Sequence, residues 1–319
     1  MTNKIQDFNF NNRLSPLQEE NSMNNEREFL SKTSKLTSYP RRLFITLDNT
    51  AATSVKHDNS IKTFNLRLMN NLSPAMQYTE ELILTTKNPN QIPMNLQPAL
   101  EFADEYNINK SVTADIATLG ELSPWIFQYS VGKVNIFINP YRDFTDDMSN
   151  IIPAIRNLVV RKYFAPIKPV INLVYLLTTT DVSMIPDMLR LPFETEADEI
   201  STVFKNTSDS GSYTLNESGI SLMLKQLREK ADYYGIGCKE PYSNDSLYLP
   251  YSAWSDLHMG HDGCIRWLLK DEKITTKAPV PEALFINDIW NSSELIALRD
   301  EVISGCDYTL RINQFNHIF

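Results

Sequence analysis

Three cysteines and two histidines in the C-terminal third of the sequence are candidate metal ligands: Cys238, Cys264, Cys306, His258 and His261. Zinc prefers thiolate and imidazole donors, and thiolates also hold iron–sulfur clusters. The cysteines form no CxxC pair, and both histidines lie in the glycine-containing stretch DLHMGHDGC, which favours a polar turn. One hypothesis is therefore a zinc or iron–sulfur site, and the other is buried thiols beside a polar turn.

A second stretch with chemical interest is LDNTAATSVKHDN, residues 47–59, which follows the apolar run RLFITL. The loop after a buried strand is a common place for cofactor chemistry in α/β proteins. Ala51 and Val55 carry no donor atom there, and Asp58 offers one carboxylate beside His57. These two polar side chains could form only a weak and incomplete site for a divalent metal.

The elements that position these stretches alternate along the chain. Six β-type runs are countable: RLFITL, ELILTT, SVTADIA, KVNIFIN, VINLVYLLT and ISTVF. Between them, LQPALEFADEYN and MSNIIPAIRNLVVRKYF have apolar residues at helical spacing. The helix predicted at ESGISLMLKQLREKADYYG has Asn216 and Glu217 at its start and Gly235 at its end, as caps should be. Repeated strand–helix units predict an α/β fold with a parallel sheet, either a partial barrel or a doubly wound sheet.

The pattern divides the chain into three predicted parts. Residues 1–39 are a polar extension that is either disordered or draped over the body. Residues 40–237 hold the strand–helix units. Residues 238–319 form a small second domain, with strand candidates at SLYLPY and CIRWLL. It ends in a helix, SSELIALRDEVI, that Ser292 or Ser293 caps.

The loop after the first strand resembles the cluster loop of radical S-adenosylmethionine (radical SAM) enzymes. In that family the loop reads N-x-C-N-x-x-C-K-H-C, and three thiolates hold a four-iron cluster. The stretch NTAATSVKHD keeps the frame, with Asn49 and the Lys56–His57 pair in place. Ala51, Val55 and Asp58 stand at the three cysteine positions. The resemblance thus covers the frame of the motif and none of its ligands.

Two further stretches resemble landmarks of the same family, in order and at matching spacing. After the second strand, Thr86, Lys87 and Asn88 stand where the family has the GGE of its GGEP motif, which cradles the amino group of S-adenosylmethionine. Near the end, DIWNSSELIALRDEVISG is similar to the IWN-S-x-x-x-x-x-L-R stretch of the SPASM-type C-terminal extension. The resemblance spans roughly residues 40 to 310.

The resemblance implies a partial (β/α)6 barrel like that of radical SAM enzymes, with a small α+β SPASM-like extension. It also implies a lost cofactor site, because hydrocarbon cannot replace thiolate as an iron ligand. Side chains at Thr86 and Lys87 fill space that glycines would leave open, and Lys87 places a cation near the cofactor's ammonium. We therefore expect no cofactor; the alternative is an iron–sulfur cluster or zinc in the C-terminal part.

Composition excludes several classes of function. The net charge is −9, the pI is near 5.1, and no basic cluster is present, so we expect no nucleic-acid partner. Neither GxGxxG nor GxxxxGK[ST] occurs among the 9 glycines. No run of eighteen apolar residues occurs and the N-terminus lacks an apolar signal core, so we expect no membrane association and a cytoplasmic location.

These observations predict a pseudoenzyme that binds rather than catalyses. Radical SAM proteins with SPASM extensions modify peptides or proteins, so the resemblance implies a peptide, a substrate protein or a homologous active enzyme as partner. We expect partner contacts from the N-terminal extension and from KNTSDSGSYTLN. The alternatives are a metalloprotein with a C-terminal iron–sulfur or zinc site and a self-associating structural protein.

Overall fold

Eight parallel strands form the central sheet of the computed structural model. The structure describes residues 13–47, 71–86, 91–93, 95–144, 148–177, 182–204, 217–239, 248–260, 266–269, 272–275 and 286–304. The strands of this sheet are β1 (Arg42–Leu47), β2 (Glu81–Thr86), β3 (Asn109–Asp115), β4 (Lys133–Ile138), β5 (Val170–Leu177), β6 (Glu199–Phe204), β7 (Gly237–Lys239) and β8 (Asp256–Met259). Their order is β7-β6-β5-β4-β3-β2-β1-β8, and the sheet is open. The α/β parallel sheet that the sequence predicts is confirmed.

The predicted number of six strands in the sheet is too small. β1 to β6 coincide with the six predicted runs, while β7 and β8 add an edge strand on each side. The sequence signal for these two is weak because they have only 3 and 4 residues and contain lysine, aspartate and histidine. The polar turn predicted around His258 is accordingly wrong for residues 256–259, which pair with β1.

Helices follow most strands, and several of them pack on the same face of the sheet. Their bounds are α1 (Pro16–Leu30), α2 (71–76 in its described part), α3 (Leu96–Asp104), α4 (Leu119–Gln128), α5 (Pro140–Asp143), α6 (Ile151–Tyr163), α7 (Ile185–Thr195), α8 (Glu217–Tyr233), α9 (Tyr248–Ser255), α10 (Ile286–Trp290) and α11 (Ser293–Ile303). Gly235 has a φ of +70° after α8, as its predicted capping role requires. Ser292 caps α11 by accepting a hydrogen bond from the Leu295 amide.

The main hydrophobic core lies between the sheet and these helices. Every second residue of a strand faces it, and Leu43, Val134 and Leu173 are fully buried there. Helix residues such as Leu122 and Ile155 belong to the same core. We call this helix-covered side the outer face of the sheet and the opposite side the inner face.

Residues 13–39, the described part of the predicted N-terminal extension, pack on the rest of the protein. Ser15 and Gln18 form a capping box at the start of α1, and Pro16 is its first residue. The buried side of the helix is polar: Gln18 and Asn21 donate hydrogen bonds to the backbone carbonyls of Thr79 and Tyr39. This segment lies at the amino-terminal end of the strands, opposite the end where parallel sheets bind ligands.

Much of the described chain after residue 237 shares the sheet and the core of the preceding part. β7 and β8 belong to the large sheet, and Trp254 and Trp290 belong to the main core. The strand candidate SLYLPY is wrong, because helix α9 begins at Tyr248; a short apolar run does not distinguish strand from helix. The candidate CIRWLL contains β9 (Arg266–Leu269), which pairs antiparallel with β10 (Glu272–Thr275). The domain boundary at residue 237 stays a prediction.

Among the described residues, no helix has the length and apolarity needed to cross a bilayer.

Candidate functional site

The inner face of the sheet carries most of its polar side chains. Residues that pair across parallel strands point to the same side, so the register identifies this face. Its members are Asp256 and His258; Arg42, Phe44 and Thr46; Glu81, Ile83 and Thr85; Ser111, Thr113 and Asp115; Lys133, Asn135 and Phe137; Asn172, Val174 and Leu176; and Glu199, Ser201 and Val203. Parallel strands covered on both faces are usually apolar throughout. So many polar residues on one face need a separate explanation.

Ion pairs lie on the inner face near the amino-terminal ends of the strands. Arg42 Nε donates to Asp256 Oδ1 at 2.7 Å, and a second contact joins Arg42 Nη2 to Asp256 Oδ2. Lys133 Nζ lies 3.0 Å from Glu199 Oε2. These pairs join β1 to β8 and β4 to β6. They satisfy charges that would otherwise be costly to bury.

Hydrogen bonds between uncharged side chains link the next inner-face positions toward the carboxyl-terminal ends of the strands. Asn172 Nδ2 donates to Asn135 Oδ1 at 2.8 Å, and Ser201 Oγ donates to Asn172 Oδ1 at 2.9 Å. On the other side of the face, Thr85 Oγ1 donates to Thr46 Oγ1 at 3.3 Å. Two hydrogen-bonded groups therefore occupy β1–β2 and β4–β6, with β3 between them.

Thr113 of β3 fills the gap between these two groups and joins neither. It pairs in register with Asn135, and it is 9% exposed. Its Oγ1 atom is buried and has no hydrogen-bond partner among the described residues. Leaving a buried hydroxyl unpaired costs about 1 to 3 kcal/mol.

Asp115 ends β3 two residues later, on the same face. One of its carboxylate oxygens accepts from the Ala117 amide at 3.0 Å, and the other lies 3.5 Å from Arg142 Nη2. Arg142 is bound more closely to Asp143, with Nε to Oδ1 at 2.6 Å, and the guanidinium is about half exposed. These hydrogen bonds and charges raise the pKa of Arg142. The group of Asp115, Asp143 and Arg142 carries one net negative charge.

An apolar wall stands beside Asp115 on the inner face. Phe137 pairs in register with both Asp115 and Val174, and the wall continues to Val203 and Leu176. This group forms a hydrophobic cluster separate from the main core. The carboxyl-terminal end of the inner face therefore combines a polar side at β3 with an apolar side at β4–β6, which is the usual make-up of a specific binding site.

His258 also lies on the inner face, in the edge strand β8. Its ring stacks on Phe44 with 4.1 Å between centroids, and the Arg42 guanidinium lies 5.5 Å from the centre of that phenyl ring. Burial lowers the pKa of His258 to about 4, against the opposing effect of Asp256. The imidazole is therefore neutral at pH 7.

Two of the five predicted metal ligands lie within the described residues, and they lie on opposite edge strands. Cys238 is in β7 and His258 is in β8; Cys264, Cys306 and His261 lie outside the described residues. Burial raises the pKa of the Cys238 thiol to about 11, which disfavours the thiolate that metals bind. Within the described part of the chain, no three His, Cys, Asp or Glu side chains are grouped to hold a metal. The C-terminal metal site stays a prediction.

The positions predicted for a lost cofactor site follow β1 in the sequence, or end and follow β2. Thr86, the last residue of β2, is 3% exposed, while Ala51, Val55, Asp58, Lys87 and Asn88 lie outside the described residues. The donor chemistry does not fit an iron–sulfur cluster, because two of three positions are hydrocarbon and the third is a hard carboxylate. Thr86 also puts a buried side chain where the resemblance requires glycine.

The sequence reasoning missed Thr113, Asp115, Asn135, Asn172 and Arg142. The available signal was their spacing. Threonine and aspartate alternate with Val112 and Ala114 in β3, and single asparagines interrupt the apolar runs of β4 and β5. In a strand buried on both faces, such alternation marks a polar inner face.

Comparison with known proteins supports the fold. No protein-family model matches the sequence, and a search of curated proteins finds no match. Among solved structures, SuiB of Streptococcus suis bound to S-adenosylmethionine is similar over 92% of this chain and 74% of its own, with 11% identity and a TM-score of 0.56. The structure of SuiB bound to the precursor peptide SuiA is similar over the same shares, with 11% identity and a TM-score of 0.57. At such low identity the likeness concerns the fold alone, and the chain has a radical-SAM-like fold.

Proposed function

We propose that this chain is a non-catalytic radical-SAM-like protein that binds a peptide or protein segment at the carboxyl-terminal end of its sheet. The observation that carries the proposal is the absence of sulfur donors at residues 51, 55 and 58 in a chain with this fold. Ala51 and Val55 cannot ligate iron, and one carboxylate at Asp58 cannot replace three thiolates. No step of radical chemistry can be assigned to these residues.

Peptide binding is favoured over other uses of the fold for two reasons. A solved structure of the similar protein SuiB contains a precursor peptide, so this architecture can hold one. The inner face also places the carboxylate of Asp115 beside the apolar group around Phe137, and this combination of charge and apolar surface suits an amphipathic chain. The protein then acts as a binding or regulatory subunit, with a peptide or a homologous peptide-modifying enzyme as its partner.

The first test is anaerobic reconstitution with iron and sulfide. We expect no iron–sulfur absorption or paramagnetic resonance signal in the natural chain, and no heat of binding when S-adenosylmethionine is added. A matched variant carries Ala51→Cys, Val55→Cys and Asp58→Cys, which restores the three thiolates. A cluster that forms only in the variant supports the proposal, and it also supports the alignment of residues 49–58 with the cluster motif. A cluster in the natural chain contradicts the proposal.

The metalloprotein alternative is tested by elemental analysis of protein purified without oxygen. Stoichiometric zinc or iron that is lost with Cys264→Ser would favour a C-terminal metal site. A metal-free chain favours the binding protein. Light scattering of the isolated chain tests the third alternative, a self-associating structural protein.

A further inference from the structure

We infer that the helices on the outer face carry a dimerisation surface, through which two copies of this chain associate about a two-fold axis. The surface, here called the aromatic patch, lies at the carboxyl-terminal ends of α6, α7 and α8. Its members are five exposed aromatic side chains: Tyr163, Phe164, Phe193, Tyr233 and Tyr234. The inference goes beyond the proposed function, because these helix ends lie at the amino-terminal ends of β5 to β7 and leave the opposite end of the sheet free.

Contacts between side chains join the three helix ends into one surface. The ring centroids of Phe193 and Tyr234 lie 6.0 Å apart, and those of Tyr233 and Tyr234 lie 5.2 Å apart. Both pairs have the edge-to-face arrangement that aromatic rings prefer. The Tyr163 hydroxyl donates to Glu196 Oε2 at 2.9 Å, which ties the end of α6 to the residue after α7. The patch therefore extends across all three helix ends.

The area of the patch is large for a surface that faces only water. Its five aromatic residues are between 52% and 86% exposed. A phenylalanine or tyrosine can bury roughly 200 Å², so the patch offers about 700 Å² on each copy. Two such patches would together bury about 1,400 Å², which lies within the usual range of stable interfaces between proteins. Val160, which is exposed one turn before Phe164 on α6, extends the apolar area.

The charges beside the patch suit a second copy of this chain. Asp198 is paired with Lys162, and Arg190 Nε lies 2.6 Å from Glu194 Oε1. The chain carries a net charge of −9, so most contacts between two copies bring negative charges together. At the patch, ion pairs within each copy reduce this repulsion. A two-fold contact uses the same surface on both copies and closes at two, unlike the open assembly of a structural protein.

Glu196 holds part of the patch in place from a conformation that glutamate rarely adopts. Its φ is +57°, in the left-handed region, where the chain has Gly235 with a φ of +70° after α8. A side chain there costs conformational energy that glycine would avoid. The carboxylate of Glu196 accepts the hydrogen bond from Tyr163, so it orients an exposed ring of the patch. Glu196 is therefore a positioning residue for the interface.

The experiment is sedimentation velocity of the full-length natural chain over a dilution series. We expect a dimer of twice the chain mass of 36.6 kDa, in reversible equilibrium with the monomer. Phe193→Glu and Tyr234→Glu each place a carboxylate in the patch. Each should raise the dissociation constant of the dimer at least about thirtyfold, as the loss of an interface hot spot does. Both side chains are exposed, so the monomer should stay folded, which circular dichroism checks.

The matched control is Leu30→Glu, which changes a similarly exposed apolar side chain at the end of α1, outside the patch. This variant should dimerise like the natural chain. A second pair tests the positioning role of Glu196. Glu196→Ala removes the acceptor for Tyr163 and should weaken the dimer about threefold to tenfold, whereas Glu196→Gln keeps an acceptor and should weaken it less.

Four results would overturn the inference. They are a natural chain that is monomeric at every concentration, an assembly of more than two chains, a dimer that both Phe193→Glu and Tyr234→Glu leave intact, and a dimer that Leu30→Glu dissociates equally. Equal dimerisation of Glu196→Ala and Glu196→Gln would remove the positioning role of Glu196. None of these results decides the proposed function, which the reconstitution experiment tests separately.

Discussion

The two faces of the sheet differ in what holds them together. The outer face is covered by helices and packs through apolar side chains such as Leu43 and Leu173, which need only to be surrounded. The inner face is held by ion pairs and by side-chain hydrogen bonds such as that between Asn135 and Asn172. A core can be built without such bonds, so the inner face contains groups that stability alone does not require. The difference is one reason for which we propose the inner face as the binding side of the fold.

The largest expected effect tests the charged part of the inner face. Asp256→Ala leaves the Arg42 guanidinium buried without its carboxylate, and we expect the free energy of unfolding to fall by about 3 to 5 kcal/mol. Replacing both residues, Arg42→Met with Asp256→Leu, should recover most of this loss. Denaturation with urea measures both variants. A loss below about 1 kcal/mol in Asp256→Ala, as in exposed pairs, would show that the pair is not buried as described.

The outer face is tested by removing volume. Leu173→Ala creates a cavity in the main core and should cost about 2 to 5 kcal/mol of unfolding free energy. Leu176→Ala, on the same strand but partly buried on the inner face, is the matched control and should cost less than half as much. Equal losses in the two variants would contradict the distinction between a packed outer face and a binding inner face.

The response of the inner face to pH is expected to follow His258. The pKa of His258 is about 4 in the folded chain, and its ordinary value, which applies to the unfolded chain, is 6.5. Between pH 4 and 6.5 the unfolded chain therefore binds more protons than the folded chain. Stability should therefore fall as the pH drops below 6.5, and the loss should be complete near pH 4 at about 3 kcal/mol.

His258→Phe keeps the ring stack on Phe44 and removes the titrating group. The stability of the variant, measured by urea denaturation at several pH values, should decline less than that of the natural chain over this interval. Parallel pH profiles would show that His258 is not the group responsible. Asp256 and Arg42, the charged neighbours of the imidazole, remain in both proteins.

The smallest effect compares one threonine from each face, Thr113 on the inner face and Thr202 on the outer face. Both hydroxyls are buried and lack a hydrogen-bond partner among the described residues, so Thr113→Val and Thr202→Val should each raise the free energy of unfolding by about 1 kcal/mol. Thermal unfolding monitored by circular dichroism measures the gain, and a lower stability of Thr113→Val would indicate a structural role for its hydroxyl.

The sequence predicted the parts of the fold that depend on local patterns. Long apolar runs identified β1 to β6, and caps at Gly235 and Ser292 located the ends of α8 and the start of α11. Local patterns failed for β7 and β8, because three or four residues carry too little periodicity. The strand predicted at SLYLPY failed because a short apolar run does not distinguish a strand from a helix.

The candidate site could not be predicted because it depends on register between distant strands. Asn135 and Asn172 are 37 positions apart, and only the pairing of β4 with β5 brings their amides to 2.8 Å. Whether a polar residue in a strand is paired or unpaired, as Thr113 is, has no signature in the sequence. The positions inferred from the family resemblance, Ala51, Val55 and Asp58, stay predictions.

The hydrogen bonds that attach α1 specify the residues of the helix more than the residues that accept them. Gln18 and Asn25 donate to main-chain oxygens, those of Thr79 and Trp254 among them, and such oxygens are present whatever the residue. Mutational scanning should therefore find intolerance at positions 18, 21 and 25, where the amide side chain itself is needed. The side chains of Trp254 and Thr79 are constrained for other reasons, because Trp254 belongs to the main core and Thr79 Oγ1 donates to the Pro40 carbonyl.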